Sequence, residues 1–345
     1  MGMHRTVHES VLPRRTLGRS EVAVTALGFG AAAVAGLFSP VGEDEAAAAV
    51  EAAWDAGIRY FDTAPHYGLG LSEQRLGAVL RAKPRDTYTV STKAGRLLVP
   101  CEKGGREGDF GDDLAHGFAV PATHRRRWDF SADGVRRSLE ESLTRLGLDR
   151  VDLVLLHDPD DHEEQAFREA YPALEELRSQ GVVGAIGAGM NQSRMLTRFL
   201  EDTDVDAVLC AGRYTLLEQT ALEELLPVAA ARRKSVIVGG VFNSGLLADP
   251  KPGATYDYAA APKSLVSRAL HMQAVAEEHG VPLRAAALRF PFGHPAIASI
   301  LVGARSAAQV HDAAAQVDRA IPDGMWEALR SEGLLPPHVP VPEGT

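Results

Sequence analysis

Cysteine is scarce in this chain: Cys101 and Cys210 are the only two among 345 residues. Two thiols cannot staple a chain of this length, and their spacing matches no metal-ligand pattern, so a disulfide framework or a cysteine-ligated zinc is not what organises it. A reducing cytoplasm is the expected compartment. Long apolar runs are missing too, and the longest, such as 236–241, fall far short of a membrane span. Residues 1–13 carry charges but no apolar stretch, so no signal peptide is expected. Basic charge is in deficit: 36 Lys and Arg against 46 Asp and Glu leave a net charge of −10 and a pI near 5.7. That balance argues against nucleic acid or an anionic membrane as a partner. The run Arg125, Arg126, Arg127 is local. It reads as a solvated loop, with an electrostatic lure for an anionic ligand as the alternative. No linker rich in Pro, Gly or Ser divides the chain.

What is present is a globular composition, 45% hydrophobic and 24% charged. Residues 14–24 read as a hairpin turning at Gly18-Arg19-Ser20. Strands are then expected at 25–30, 58–61, 87–92, 151–156, 182–188, 207–210, 235–238 and 300–302. Helices are expected at 43–56, 72–81, 131–146, 163–179, 193–200, 219–232, 263–278, 283–288 and 307–315, the last regular one. Ser72 and Ser131 are expected N-caps, Gly57, Gly147 and Gly181 are stops, and Pro227 is a point of kinking. Eight short strands, apolar on both faces and alternating with helices, predict an α/β fold, a (β/α)8 TIM barrel, with a short N-terminal β-hairpin and a long loop after the third strand. One domain is expected over 14–335, with 1–13 and 336–345 as flexible tails. The long loop, 95–129, holds glycines and charges together with Phe110, Phe118 and Trp128. Its length makes it either functional or disordered.

In such a barrel the active groups stand where strands pass into loops on one rim. Asp62 and Tyr67 follow the second strand, Lys93 the third, His157 the fourth, and Asn191 the fifth. A carbonyl accepting hydride gathers negative charge on oxygen and needs a proton. A phenol such as Tyr67 can supply it, but an ordinary pKa of about 10 is too high for neutral operation. The Lys93 ammonium can favour the phenolate, Asp62 can hold Lys93 in an ion pair, and His157 can orient the substrate oxygen. Singly, each has a structural reading: a turn former, a packed aromatic, a solvated end, a neighbour of the Asp158-Pro159 turn. Together, at the ends of three strands, they point to one site. A metal-dependent hydrolase is one rival, suggested by His157, Asp158, Asp160, Asp161 and His162. Neighbours on one turn rarely build a coordination sphere, and no metal is expected. A non-catalytic regulatory subunit is the second rival, since fold alone does not fix function.

The segments FDTAPHYGLGLSEQRLG (61–77), VSTKAG (90–95), DLVLLHD (152–158) and ILVGARSAAQV (300–310) resemble, in order, the motifs of the aldo-keto reductase family. The resemblance runs from Arg15 to about Trp326. It implies that Asp62, Tyr67, Lys93 and His157 fall on that family's catalytic tetrad and that the cofactor is NAD or NADP. GRYTLLEQ (212–219), GGVFNSGLLA (239–248) and GVPLRAAALRFPFGHPAI (280–297) resemble the branch that acts on L-fucose, L-galactose and D-threo-aldoses, with pyridoxal 4-dehydrogenases beside it. The implied partner is a small sugar or carbonyl compound, oxidised at an anomeric carbon to a lactone. A general NADPH-dependent aldehyde and ketone reductase is the alternative. Phe38, His66 and Trp128 are the expected substrate contacts.

For the cofactor, Gly28-Phe29-Gly30-Ala31-Ala32-Ala33 imitates a dinucleotide fingerprint, which requires a helix to open at once. Gly36, Phe38, Ser39 and Pro40 interrupt instead, and Gly30 is expected to let a cofactor or substrate approach the backbone. The better phosphate seat is Gly303-Ala304-Arg305-Ser306, after the last strand and opening a helix, where free amides and the helix dipole favour anions. The resemblance implies that these four residues hold the pyrophosphate and adenosine end, and that Asn191 holds the nicotinamide amide. Some positions depart from the family pattern. Ala211 stands where a glutamine is frequent, and Gly239 where a tyrosine often stacks on the nicotinamide, with Phe242 as the expected substitute. Gln309 stands where many members carry an arginine to the 2′-phosphate of NADP, and Asp312-Ala313 replaces a Glu-Asn pair. Without that charge-assisted contact the expectation leans to NAD, although Arg305 can still reach a phosphate.

Overall fold

The computed structural model describes residues 12–101, 111–257 and 259–343. Among them, eight parallel strands close into a barrel. They are β1 (Leu27–Gly30), β2 (Tyr60–Asp62), β3 (Thr89–Ala94), β4 (Leu153–His157), β5 (Ala185–Met190), β6 (Ala207–Ala211), β7 (Ser235–Gly239) and β8 (Ile297–Gly303). Each pairs with the next, and β8 returns to β1 with Gly303 beside Gly30. This is the (β/α)8 barrel expected from the alternation.

The two-residue period of the strands decides what faces inward. On β2, Tyr60 joins the apolar cluster inside the barrel, while Phe61 joins the larger one beneath the helices. On β4, Leu153 and Leu155 go in and Val154 and Leu156 go out. On β3, Val90 goes out, which turns Ser91 and Lys93 inward. Two residues further along the same faces come Asp62 and His157, at the mouth. The far end is closed by the hairpin of Arg14–Thr16 and Ala23–Thr25, whose neighbours Leu17 and Val24 are fully buried in the inner cluster.

Local signals account for some helix ends. Glu43–Asp55 carries Glu43, Asp44 and Glu45 in its first turn, which suits the dipole. Ser131 Oγ accepts from the Gly134 N–H at 3.0 Å and caps Ala132–Leu146. Four expectations are corrected. Ser72 is not a cap: its helix, Leu71–Leu80, starts after Gly70, and Ser72 lies inside it, donating to the Ala31 carbonyl. The helix over 163–179 is not continuous. Glu163–Gln165 passes through a π turn at Ala166–Ala170 into Tyr171–Ser179, where Pro172 lacks the N–H that a regular turn would use. The helix expected from 219 begins only at Leu225, so Pro227 falls in its first turn and has nothing to kink. Finally, Asp323–Ser331 is a further helix, with Met325, Trp326 and Leu329 buried; Gly324 in its first turn blurs the pattern. The flanks lie partly against the barrel, with Leu12 and Val339 buried.

The insertion after β3 is folded where it is described. Arg96–Pro100 pairs with His124–Trp128, and Asp112–Asp113 with Phe118–Pro121, both antiparallel. Phe110 lies outside the described residues. The arginine run is a strand rather than a solvated loop. Arg125 and Arg127 are exposed, but the Arg126 side chain is 6% exposed, as strand alternation requires. Among the described residues no helix is long and apolar enough to cross a membrane.

Candidate active site

Asp62 ends β2, Lys93 lies near the end of β3, and His157 ends β4, so three adjacent strands deliver them to one mouth. Tyr67 comes from the turn that follows β2, where its N–H donates to the Ala64 carbonyl at 3.1 Å. Gly68 makes that turn possible. Its φ is +57°, and a Cβ there would stand 2.6 Å from the Ala35 carbonyl oxygen.

Lys93 Nζ donates to Asp62 Oδ2 at 2.6 Å and to the Thr63 carbonyl at 3.0 Å. Ser91 Oγ donates to Asp62 Oδ1 at 2.7 Å and lies 3.0 Å from the Tyr60 hydroxyl. The ion pair is buried, its side chains 2% and 4% exposed. Lys93 Nζ also lies 4.7 Å from the Tyr67 ring centroid and hydrogen-bonds with that side chain. Burial disfavours the Lys93 charge, but Asp62 and Tyr67 outweigh it and raise its pKa above the ordinary value. Lys93 therefore stays an ammonium beneath the phenol.

The His157 ring stands edge-on to Tyr67, with centroids 5.7 Å apart. Burial, and then the charges of Arg96 and Lys93, press its pKa well below the ordinary value, so the ring is neutral. Its Nδ1 is buried with no hydrogen-bond partner among the described residues. Such an orphan costs on the order of 1–3 kcal/mol, and it marks a place for a polar group from outside the chain. The arrangement can move a proton at Tyr67 and present hydrogen-bonding capacity beside it.

The expected substrate contacts frame this mouth. His66 is next to Tyr67 in the chain and 5.5 Å from His157, ring to ring. Trp128 is 42% exposed, stacked on Phe130, with the Arg96 guanidinium 4.1 Å from its ring centroid. Phe38 is 45% exposed, and its N–H donates to the Gly117 carbonyl at 2.8 Å, tying its loop to the insertion.

The expected cofactor positions begin beside the tetrad, where Gly30 on β1 is the register partner of Asp62 on β2, and run on to the end of β8. No α-helix follows Gly30 until Glu43, only a 3₁₀ turn at Ala33–Ala35. Ser306 caps the helix Ala307–Val317 by accepting from the Gln309 N–H. Gln309 Oε1 in turn accepts from the Arg305 N–H at 3.0 Å, and the Arg305 guanidinium donates to Ser39 Oγ. Ala304 is buried and Gly303 exposed. A Cβ on Gly30 would meet only Gly303 and Val302 backbone at 3.7 Å, and one on Gly303 only Ala33 Cβ at 3.6 Å and the Gly30 oxygen at 3.8 Å. Neither glycine is demanded by packing or by a positive φ, and their bare backbones leave a cradle that side chains would fill. Together with the helix N-terminus, that cradle fits an extended, anionic dinucleotide. Asn191 is exposed just past β5, with its carbonyl accepting from Arg213 Nε at 2.7 Å. Ala211 and Gly239 are register partners, so two small residues adjoin at the rim. Phe242, expected to fill that space, is half-buried against the cluster beneath the helices.

Sequence reasoning missed several residues here. Ser91 lies two positions before Lys93, and strand periodicity alone could have found it. Arg96, paired with Asp158, and Arg126, paired with Asp113, come from the insertion. No local signal placed them at the mouth. Asp158 is thereby engaged by a cation, and Asp160 accepts from Gln192.

Residues 26–332 match the profile of the Aldo/keto reductase family. A D-threo-aldose 1-dehydrogenase from a Pseudomonas sp is 49% identical over 318 residues, covering 91% of this chain and 96% of that protein. A pyridoxal 4-dehydrogenase from Microbacterium luteolum is 41% identical over 343 residues, covering 95% of this chain and all of that one. Among solved structures, an aldo-keto reductase from Bacillus halodurans in its holo form is similar with a TM-score of 0.72 and 25% identity, over 93% of this chain and 96% of that chain.

Proposed function

The chain belongs to the aldo/keto reductase family, and from that premise we propose that it oxidises the anomeric hydroxyl of a cyclic aldose, or of a similar cyclic hemiacetal, to a lactone. It is an NAD(P)-dependent oxidoreductase. The observation that carries the proposal is the buried Lys93–Asp62 pair beneath Tyr67, beside a neutral His157 with an orphaned Nδ1. The names of the two relatives, an aldose dehydrogenase and a dehydrogenase of pyridoxal, support the substrate class.

When bound, the nicotinamide supplies the acceptor for the hydride that leaves the reacting carbon. Tyr67 takes the hydroxyl proton as the carbon–oxygen double bond forms. Lys93 favours the phenolate that makes Tyr67 a base, Asp62 holds Lys93, and His157 orients the oxygen. Gly30, Gly303, Ala304, Arg305 and Ser306 would hold the dinucleotide, with Asn191 at its nicotinamide end. Gln309, which brings no charge to a 2′-phosphate, favours NAD. Phe38, His66 and Trp128 would contact the sugar.

A base must be deprotonated, so oxidation is expected to accelerate from neutral into alkaline pH, and aldehyde reduction to run better at lower pH. Mixing the protein with NAD and L-fucose, L-galactose or pyridoxal, following reduced cofactor, and identifying the product by mass and by lactone hydrolysis tests this. If no hemiacetal is oxidised while simple aldehydes are reduced readily with NADPH, the protein is a general carbonyl reductase.

A further inference from the structure

The most constrained ring at the mouth is not one of the tetrad. His66 Nδ1 accepts from Arg126 Nε at 2.5 Å, and its backbone carbonyl accepts from Arg126 Nη2 at 2.9 Å. Arg126 is itself gripped by Asp113, Nη1 to Oδ1 at 2.7 Å and Nη2 to Oδ2 at 2.6 Å, with both side chains buried. A bidentate fork fixes the plane of the guanidinium as well as its position. A guanidinium has only donors, so the nitrogen it addresses cannot carry a proton. The neutral His66 ring must then hold its proton on Nε2. That leaves Nε2 as the ring's donor, on a ring that stands 6.0 Å from that of Tyr67 and 5.5 Å from that of His157.

We propose that Arg126, held by Asp113, is a positioning residue that locks His66 as the Nε2–H tautomer, so that His66 is a fixed donor to a substrate oxygen beside the reacting carbon. The inference rests on the reading of Tyr67 as the proton carrier. It goes further by naming what the site selects: a hemiacetal or hydroxylated substrate with an oxygen next to the carbon that loses hydride, over a plain aldehyde. It also gives the insertion a task, since both Arg126 and Asp113 come from it.

The surroundings keep this donor constant with pH. Lys93 faces His66 from β3, Arg96 and Arg126 from the outer strands of the insertion, His116 and Asp113 from its inner turn, His157 from β4, and Tyr67 from its own loop. Burial, followed by the charges of Arg96 and Arg126, lowers the His66 pKa to about 2. The ring therefore stays neutral wherever the enzyme is folded.

The experiment uses the full chain. Ring ¹H–¹⁵N spectra of the wild type are expected to show His66 as Nε2–H, with no titration between about pH 5 and 8, given an ordinary value near 6.5. In Arg126→Gln the fixed tautomer should be lost and both ring nitrogens should share the proton, while burial and Arg96 still hold the titration low. The KM for L-fucose should rise on the order of tenfold, the size of one lost hydrogen bond, with kcat at alkaline pH changed far less. Reduction of propionaldehyde should change much less than oxidation of L-fucose, and Arg126→Lys, which keeps the charge but not the fork, should recover part of the loss. His66→Phe, which leaves the Arg126–Asp113 pair in place, should show the same selective rise in KM if Arg126→Gln does not fold. An Nδ1–H tautomer or a titrating His66 in the wild type overturns the proposal. So does an unchanged KM for L-fucose, or an equal loss on sugar and aldehyde. Tyr67→Phe separates the two readings: if it keeps its turnover, the hydride-transfer assignment fails, while the wild-type tautomer still decides the role of Arg126.

Discussion

The two sides of the barrel mouth are built on opposite plans. Around the ends of β2, β3 and β4, cations meet carboxylates in matched pairs: Lys93 with Asp62 and, from the insertion, Arg126 with Asp113, both buried, and Arg96 with a half-buried Asp158. At the end of β8, Gly303 and Gln309 are exposed, and the polar groups satisfy one another locally, Gln309 on the Arg305 amide and Arg305 on Ser39. Removing one member of a buried pair leaves an uncompensated charge and costs about 3–5 kcal/mol, so the first side is rigid in both position and protonation. The second side can exchange its internal hydrogen bonds for those of a ligand at little net cost. The first side is set in advance, and the second is left free to rearrange locally around an anion at the helix N-terminus.

The comparison breaks first at Tyr67. Tyr67→Phe should lower turnover on the order of 10²–10⁴-fold while leaving cofactor binding intact, because the change removes only the hydroxyl that carries the proton. Steady-state rates and a titration of cofactor fluorescence check both halves. Retention of most activity would remove the phenol from the chemistry.

Next in size is a pH effect led by the buried side, with His294 before β8 adding to it. His66 and His157 both have depressed pKa values, led by burial, so the unfolded chain takes up protons that the folded one refuses. Stability is therefore complete above the unfolded value of about 6.5 and declines as pH falls, by up to about 1.4 kcal/mol per pH unit for each ring. Urea unfolding between pH 7 and 5 should show this slope, and His66→Phe should remove the part that His66 contributes. A flat profile would mean that the rings are not held neutral.

The smallest effect belongs to the exposed side. Gln309→Arg should strengthen NADP binding by roughly the worth of one charge-assisted hydrogen bond, about tenfold, with NAD little altered. Dissociation constants for both cofactors measure it. A strong NADP preference in the wild type would transfer the phosphate to Arg305.

The barrel and the meeting of Asp62, Tyr67, Lys93 and His157 were legible because both follow from strand periodicity and from where strands end. The five-residue reach from Asp62, the end of β2, to Tyr67, for instance, is local in sequence. What was hidden depends on long-range contact. Arg126 reads as one of three surface arginines until its strand pairs with Arg96–Pro100 and turns every second side chain inward. Ser72 looks like a cap until the Ala31 carbonyl is found across the barrel rim to accept its hydroxyl. The helix Asp323–Ser331 is held by the burial of Met325 and Trp326 rather than by local propensity.

The seam between β8 and β1 has a consequence in time as well as in space. Ser299 Oγ donates to the Thr25 carbonyl across 274 positions of the chain, and Gly303 meets Gly30 along the same join. Contacts so distant in sequence carry the largest loop-closure cost of any in the ring, so this join gains the most from anything that ties its two ends together. A ligand lying across Gly30 and Gly303 would bridge the two ends of the chain. By linkage, such a ligand would hold the closed ring together longer under heat.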